Sequence, residues 1–62
     1  MTKKDYELIA DAISGTIKEA ARRGEDVADL MYDLTENLAT GLEADNPRFN
    51  RETFRKACGV EL

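Results

Sequence analysis

The sequence predicts an all-α fold: an antiparallel two-helix hairpin closed by a short C-terminal helix, a three-helix unit that forms a single small domain over residues 1–62. Three observations support this prediction. Apolar residues recur at helical spacing along two long stretches, very few residues separate those stretches, and a complete set of helix start and stop signals follows an Asn-Pro break. A chain this short builds only a small core.

The first helix is predicted from about residue 3 to 23. Thr2 can cap it, with Asp5 in the capping-box position, and Gly24 is suited to a left-handed stop. Its apolar stripe should face the core and comprises Tyr6, Ile9, Ala10, Ile13, Ile17, Ala20 and Ala21.

The second helix is predicted to begin almost at once, because only Glu25 separates Gly24 from Asp26, a suitable cap. So short a connection requires an antiparallel hairpin. The predicted core stripe of this helix is Val27, Leu30, Met31, Leu34, Leu38 and Leu42. We expect the two stripes to pack along most of their length, and Asn46-Pro47 to end the helix.

The third helix is predicted over about residues 51 to 58. Asn50 can accept the backbone N–H of Thr53, Phe49 can pack on Phe54 as a hydrophobic staple, and Gly59 can end the helix. A helix this short does not persist alone, so it should dock on the hairpin. The expected docking residues are Phe54, Ala57 and Cys58, extended by Phe49 and Val60.

Two segments carry a resemblance to a known group of proteins. The opening TKKDYELIA (2–10) and the closing NPRFNRETFRKACG (46–59) are similar to those of small proteins encoded by actinobacterial phages and mobile elements. The closing segment in that group reads as an Asn-Pro-Arg-Phe turn, a short helix and a terminal Ala-Cys-Gly. The resemblance implies a phage or mobile-element origin and no particular activity.

The charge is unevenly distributed. The net charge is −4, yet residues 1–47 carry five Lys/Arg against eleven Asp/Glu, whereas residues 48–62 carry four against two. This acidic body disfavours non-specific nucleic-acid binding over the whole surface. With no membrane-length apolar run and one unpaired cysteine, we expect a cytoplasmic protein, in the bacterial host cytoplasm if phage-encoded.

Residues suited to catalysis or metal binding are scarce. The chain has no histidine, and the lone Cys58 falls at a helix C-terminus, where the helix dipole disfavours a thiolate. We predict a structural cysteine, no enzymatic activity, no cofactor, no metal and no small-molecule substrate. The acids Asp26, Asp29, Asp33 and Glu36 are expected on a solvated face, with an acidic surface for a basic partner or a mimic of nucleic-acid phosphates as the alternative.

A second row of small and apolar residues lies off the main stripe of the first helix. Leu8, Ala12 and Gly15 form it, and Tyr32 of the second helix is predicted to extend it. Two interpretations remain open. In the first, the row has no partner outside the chain, because the third helix covers it or because Gly15 merely bends the helix. In the second, the four residues form a face for a protein partner or a homodimer.

The C-terminal cations allow a different interaction. Arg48, Arg51, Arg55 and Lys56 are candidate phosphate contacts if the third helix enters a groove of DNA. The competing interpretation is a Glu52–Lys56 pair, with the arginines in solvent or bound to acids of the hairpin. The sequence therefore predicts a small non-enzymatic interaction protein that binds a protein partner or itself through helical faces; the alternative is a DNA-binding regulator.

Overall fold

The protein is all α-helical, as predicted. The computed structural model describes residues 1–60, so residues 61–62 of the predicted domain lie outside the described part. Helix α1 runs over Lys3–Arg22, α2 over Ala28–Asp45 and α3 over Arg51–Cys58. Two long helices joined by a short turn, with a third short helix packed on both, make the predicted three-helix unit.

The start of α1 is a reciprocal capping box. The Asp5 carboxylate accepts the Thr2 backbone N–H at 2.8 Å, and the Thr2 hydroxyl accepts the Asp5 N–H at 3.3 Å. The bond from the Thr2 backbone N–H, followed by the hydrogen bond of the Thr2 side chain to the same carboxylate, lowers the pKa of Asp5. At the other end, Gly24 adopts φ 77°, the left-handed conformation that suits a helix stop.

The turn into α2 differs slightly from the prediction. Val27, and not Asp26, occupies the N-cap position, and its side chain makes no capping bond. Asp26 lies one position before this N-cap, and its carboxylate accepts the Ala28 N–H at 3.2 Å. The carboxylate thus serves the first turn of α2 as expected, but the helix begins later than predicted.

Helix α3 has the predicted boundaries and the predicted signals. The Asn50 side chain accepts the Thr53 N–H at 3.0 Å, and Gly59 adopts φ 80°. The Phe49 and Phe54 ring centroids are 5.3 Å apart in an edge-to-face arrangement, so the hydrophobic staple is confirmed.

The core lies mainly between α3 and the hairpin. Phe54, Cys58 and Val60 are buried there, together with Ala10 and Ile13 of α1. Helix α3 packs more extensively on α1 than on α2. The core is therefore centred on the C-terminal segment rather than on two long stripes pressed together. Ala21 and Ala57, both predicted to be core residues, are exposed.

The face that α2 turns inward is not the predicted leucine stripe. Its buried residues are Thr35 and Ala39, both fully enclosed, whereas Leu30 and Leu34 are 65% and 42% exposed. On a helical wheel the direction of Thr35 and Ala39 is rotated by about 90° from the predicted direction. The physical reason is close packing: a short helix that approaches α2 needs small residues beneath it, and Thr35 and Ala39 are small residues on the buried side of α2.

Candidate interaction site

An apolar groove opens between α1 and the segment that leads into α3. Tyr6, Phe49 and Phe54 line it, and the Tyr6 and Phe49 ring centroids are 5.1 Å apart. The groove has a volume of about 340 Å³. Asn46 also lines the groove, and its side-chain amide donates to the Tyr6 hydroxyl at 3.4 Å.

Sequence reasoning missed this groove. Its walls come from residues about 40 positions apart, so no local pattern marks it. The only available signal was that Tyr6 begins the α1 stripe at the same end of the hairpin as the Phe49 staple. Lys3, Glu7 and Arg48 lie at the groove.

A carboxylate on α2 binds two arginines of α3. Glu36 accepts from the Arg55 Nε, from the Arg55 Nη2 at 3.0 Å and from the Arg51 Nη2 at 2.9 Å. Arg51 also reaches the Glu43 carboxylate at 3.3 Å and the Thr40 hydroxyl at 3.2 Å. The side chains of Glu36, Arg51 and Arg55 are roughly one-quarter exposed, and the side chain of Glu43 is more exposed.

This cluster alters the acidity of its members. Hydrogen bonds from Arg55 and then Arg51 outweigh partial burial and lower the pKa of Glu36 to about 2. The same contact raises the pKa of Arg55. Glu36 therefore lies on the α3 side of α2, and the prediction that it belongs to a solvated acidic face is wrong.

The four candidate phosphate contacts are thus in different environments. Arg51 and Arg55 are bound to hairpin acids, as the competing interpretation expected. Arg48 and Lys56 are exposed and make no ion pair with any residue between 1 and 60. The predicted Glu52–Lys56 pair is likewise not formed.

The candidate partner face is divided between two sides of the molecule. Leu8, Ala12 and Gly15 lie on the outer side of α1, where Leu8 is 71% exposed. A side chain added at Gly15 would meet no atom within 4 Å, so the interpretation that α3 covers this row is wrong. Tyr32, 37% exposed, lies instead near Arg55 at the junction of α2 and α3.

A longer exposed face runs along α2. We call this face the α2 seam, and it consists of Leu30, Leu34, Asn37, Gly41 and Ala44. All five residues are exposed, and they follow each other at alternating spacings of four and three positions. This is the spacing by which one helix packs against another in a coiled coil. Leu34 lies about 160° around the helix from Glu36, so the seam is on the side of α2 away from α3.

Acidic residues accompany the seam. Asp29 and Asp33 are exposed near its leucine end, and α2 contains no lysine or arginine at all. Neither aspartate forms an ion pair within residues 1–60, in contrast to Glu36 and Glu43. The leucine end of the seam is therefore an apolar surface with a negative edge.

The single thiol is buried. Cys58 is fully enclosed beside the Thr35 hydroxyl, and burial raises the pKa of the thiol while the hydroxyl opposes that shift. The predicted structural role is consistent with this position, although burial, and not the helix dipole, is the main cause of the raised pKa.

Between residues 1 and 60, no group of three or more Cys, Asp or Glu side chains is arranged to hold a metal ion. In the same range, none of the helices combines the length and apolarity needed to cross a bilayer.

Comparison with known proteins adds no relative. Protein-family models, curated proteins and solved structures were all compared with the chain, and none matches it.

Proposed function

We propose that this chain is a small non-enzymatic interaction protein that binds a protein partner or a second copy of itself through helical faces. A phage or mobile-element origin, implied by the resemblance of its two terminal segments, is part of the same proposal. Binding of this kind requires only a surface complementary to the partner, which a domain with a small core can provide.

One observation carries the proposal: no leucine among residues 1–60 is buried. Leu8, Leu30 and Leu34 are exposed, and Leu38 and Leu42 are half-buried. Leucine is among the residues most often enclosed in protein cores, and single exposed leucines need no explanation. Here, however, the exposed pair on α2 is part of a continuous seam at helix-packing spacing, which supports an interaction surface.

The DNA-binding alternative has less support. A phosphate-binding helix needs cations free to neutralise phosphates. Two of the four candidates, Arg51 and Arg55, already neutralise Glu36, and freeing them would break the contact that joins α3 to α2. Only Arg48 and Lys56 would remain for the duplex, too few for a contact dominated by charge.

Sedimentation velocity over a range of concentrations, combined with affinity capture from a bacterial lysate and reconstitution of any captured protein, tests the proposal. We expect self-association or a reconstituted complex that is weakened by Leu8→Glu or by Leu30→Gln with Leu34→Gln. A chain that remains monomeric and binds no reconstituted protein through either face would refute it. Salt-sensitive binding to duplex DNA that Arg48→Ala abolishes would favour the regulator instead.

A further inference from the structure

We propose that the α2 seam is the docking site for a basic amphipathic helix of a partner protein. This inference rests on the proposed function and specifies the partner's chemistry. It combines three properties of the seam: its spacing, the sizes of its side chains and the charge beside it.

The spacing identifies a helix as the occupant. Residues 30, 34, 37, 41 and 44 alternate between steps of four and three, which aligns them in a nearly straight row along α2. A second helix laid along such a row inserts its own side chains between them. An extended strand has no matching period, and the seam offers no free backbone edge for one.

Side-chain size along the seam divides it into two halves. Leu30 and Leu34 project at one end, whereas Gly41 and Ala44 leave a shallow trough at the other. A side chain built at Gly41 would meet no atom within 4 Å, so nothing from residues 1–60 fills that trough. The partner helix should therefore present large apolar residues over Gly41 and Ala44, and a polar group opposite Asn37 in the middle.

Charge distinguishes between the two candidate occupants. A second copy of this chain could match leucines to the small residues in an antiparallel pairing. It would also bring together two α2 helices that each carry five acids and no cation. Arg51 and Arg55 together neutralise Glu36 and Glu43. The other three acids of α2, Asp29, Asp33 and Asp45, form no ion pair within residues 1–60. Like charges facing each other are unfavourable, whereas lysine or arginine flanking the partner's apolar residues is favourable.

The test uses a synthetic helical peptide of about three heptads, with leucine at the a and d positions and lysine at the flanking e and g positions. Lysine at both flanks keeps the peptide from pairing with itself. A control peptide replaces every lysine with glutamate. Binding is followed by fluorescence anisotropy of the labelled peptide, and the contact is mapped by amide chemical shifts of the protein.

We expect the lysine peptide to bind along α2 and the glutamate peptide not to bind. Leu30→Gln with Leu34→Gln should weaken binding at least about tenfold, since buried apolar anchors dominate helix docking. Leu8→Gln changes an exposed leucine of α1 that lies outside the α2 seam, and as the control it should leave the affinity for this peptide unchanged. Asp29→Asn with Asp33→Asn should weaken binding and flatten its salt dependence, whereas Glu7→Gln with Asp11→Asn removes the same charge elsewhere and should not.

Several outcomes would overturn this inference. They are equal binding of both peptides, equal losses from the α1 and α2 leucine variants, shifts confined to another face, or no binding of the lysine peptide. A dimer in sedimentation that Leu30→Gln with Leu34→Gln dissociates would also overturn it, because the seam would then hold a second copy. That last result would leave the proposed function intact, so the two proposals fail separately.

Discussion

Arg55 binds Glu36 through two nitrogens, its Nε and Nη2 reaching different oxygens of the same carboxylate. The paired residues are 19 positions apart and belong to the last and second helices. Bidentate guanidinium–carboxylate contacts fix orientation as well as distance. This pair, with Arg51 beside it, therefore adds an oriented polar contact to the packing of α3 against α2.

Removing the Glu36 charge should loosen α3. In Glu36→Gln, Arg55 loses its bidentate partner and Arg51 loses its shortest ionic contact, so the urea midpoint of unfolding should fall. Asp33→Asn is the control: it removes a charge from the same helix, but at an exposed position without an ion pair, and should leave the midpoint nearly unchanged. Equal midpoints for Glu36→Gln and wild type would mean that the cluster contributes nothing measurable.

The same carboxylate should make stability depend on acid pH. The pKa of Glu36 is lowered from its ordinary value near 4.5 to about 2. A lowered folded-state pKa stabilises the protein above the unfolded-state pKa, and the contribution is lost as the pH falls from about 4.5 towards 2. The difference in urea midpoint between wild type and Glu36→Gln should therefore be constant near neutral pH and shrink below about pH 4.5. A difference that grows on acidification would contradict the assigned direction of the shift.

Burial of the thiol predicts slow chemical labelling. Cys58 is fully enclosed and its pKa is raised, so both access and thiolate formation are limited in the folded state. We expect a disulfide reagent to modify Cys58 only through opening of the structure, with a rate that rises as urea is added. As a control, Ala57→Cys in a Cys58→Ser background places the thiol at an exposed neighbouring position and should react quickly without urea. Fast, urea-independent labelling of wild-type Cys58 would show that it is accessible.

The sequence contains the signals for helix ends but not for helix orientation. Thr2, Asn50 and Gly59 act on their own neighbours within a few residues, so their roles could be predicted and are confirmed. The inward face of α2 depends instead on how closely α3 approaches. A hydrophobicity pattern selects Leu30 and Leu34 for the core because it does not include the size of the gap to be filled.

The interaction surfaces also divide into those that local sequence predicts and those that depend on tertiary packing. Leu8 and Gly15 are exposed, which agrees with their predicted position off the apolar stripe of α1. A helical wheel of one helix is enough to predict such a position. The aromatic groove and the Glu36 cluster join residues far apart in the chain, and only the packed structure brings them together. The α2 seam could not be predicted for a different reason: the hydrophobicity pattern assigned its leucines to the core.

Two glycines should respond to the same substitution in opposite directions. Gly15 lies inside α1 with open space around it, so Gly15→Ala should stabilise the protein by about 0.5–1 kcal/mol through higher helix propensity. Gly59 adopts φ 80° at the end of α3, where an alanine is strained, so Gly59→Ala should destabilise it by about 1 kcal/mol. Urea unfolding of both variants measures the contrast. Destabilisation by Gly15→Ala would indicate that another chain approaches α1 closely at this glycine, since no atom of residues 1–60 obstructs the added methyl group.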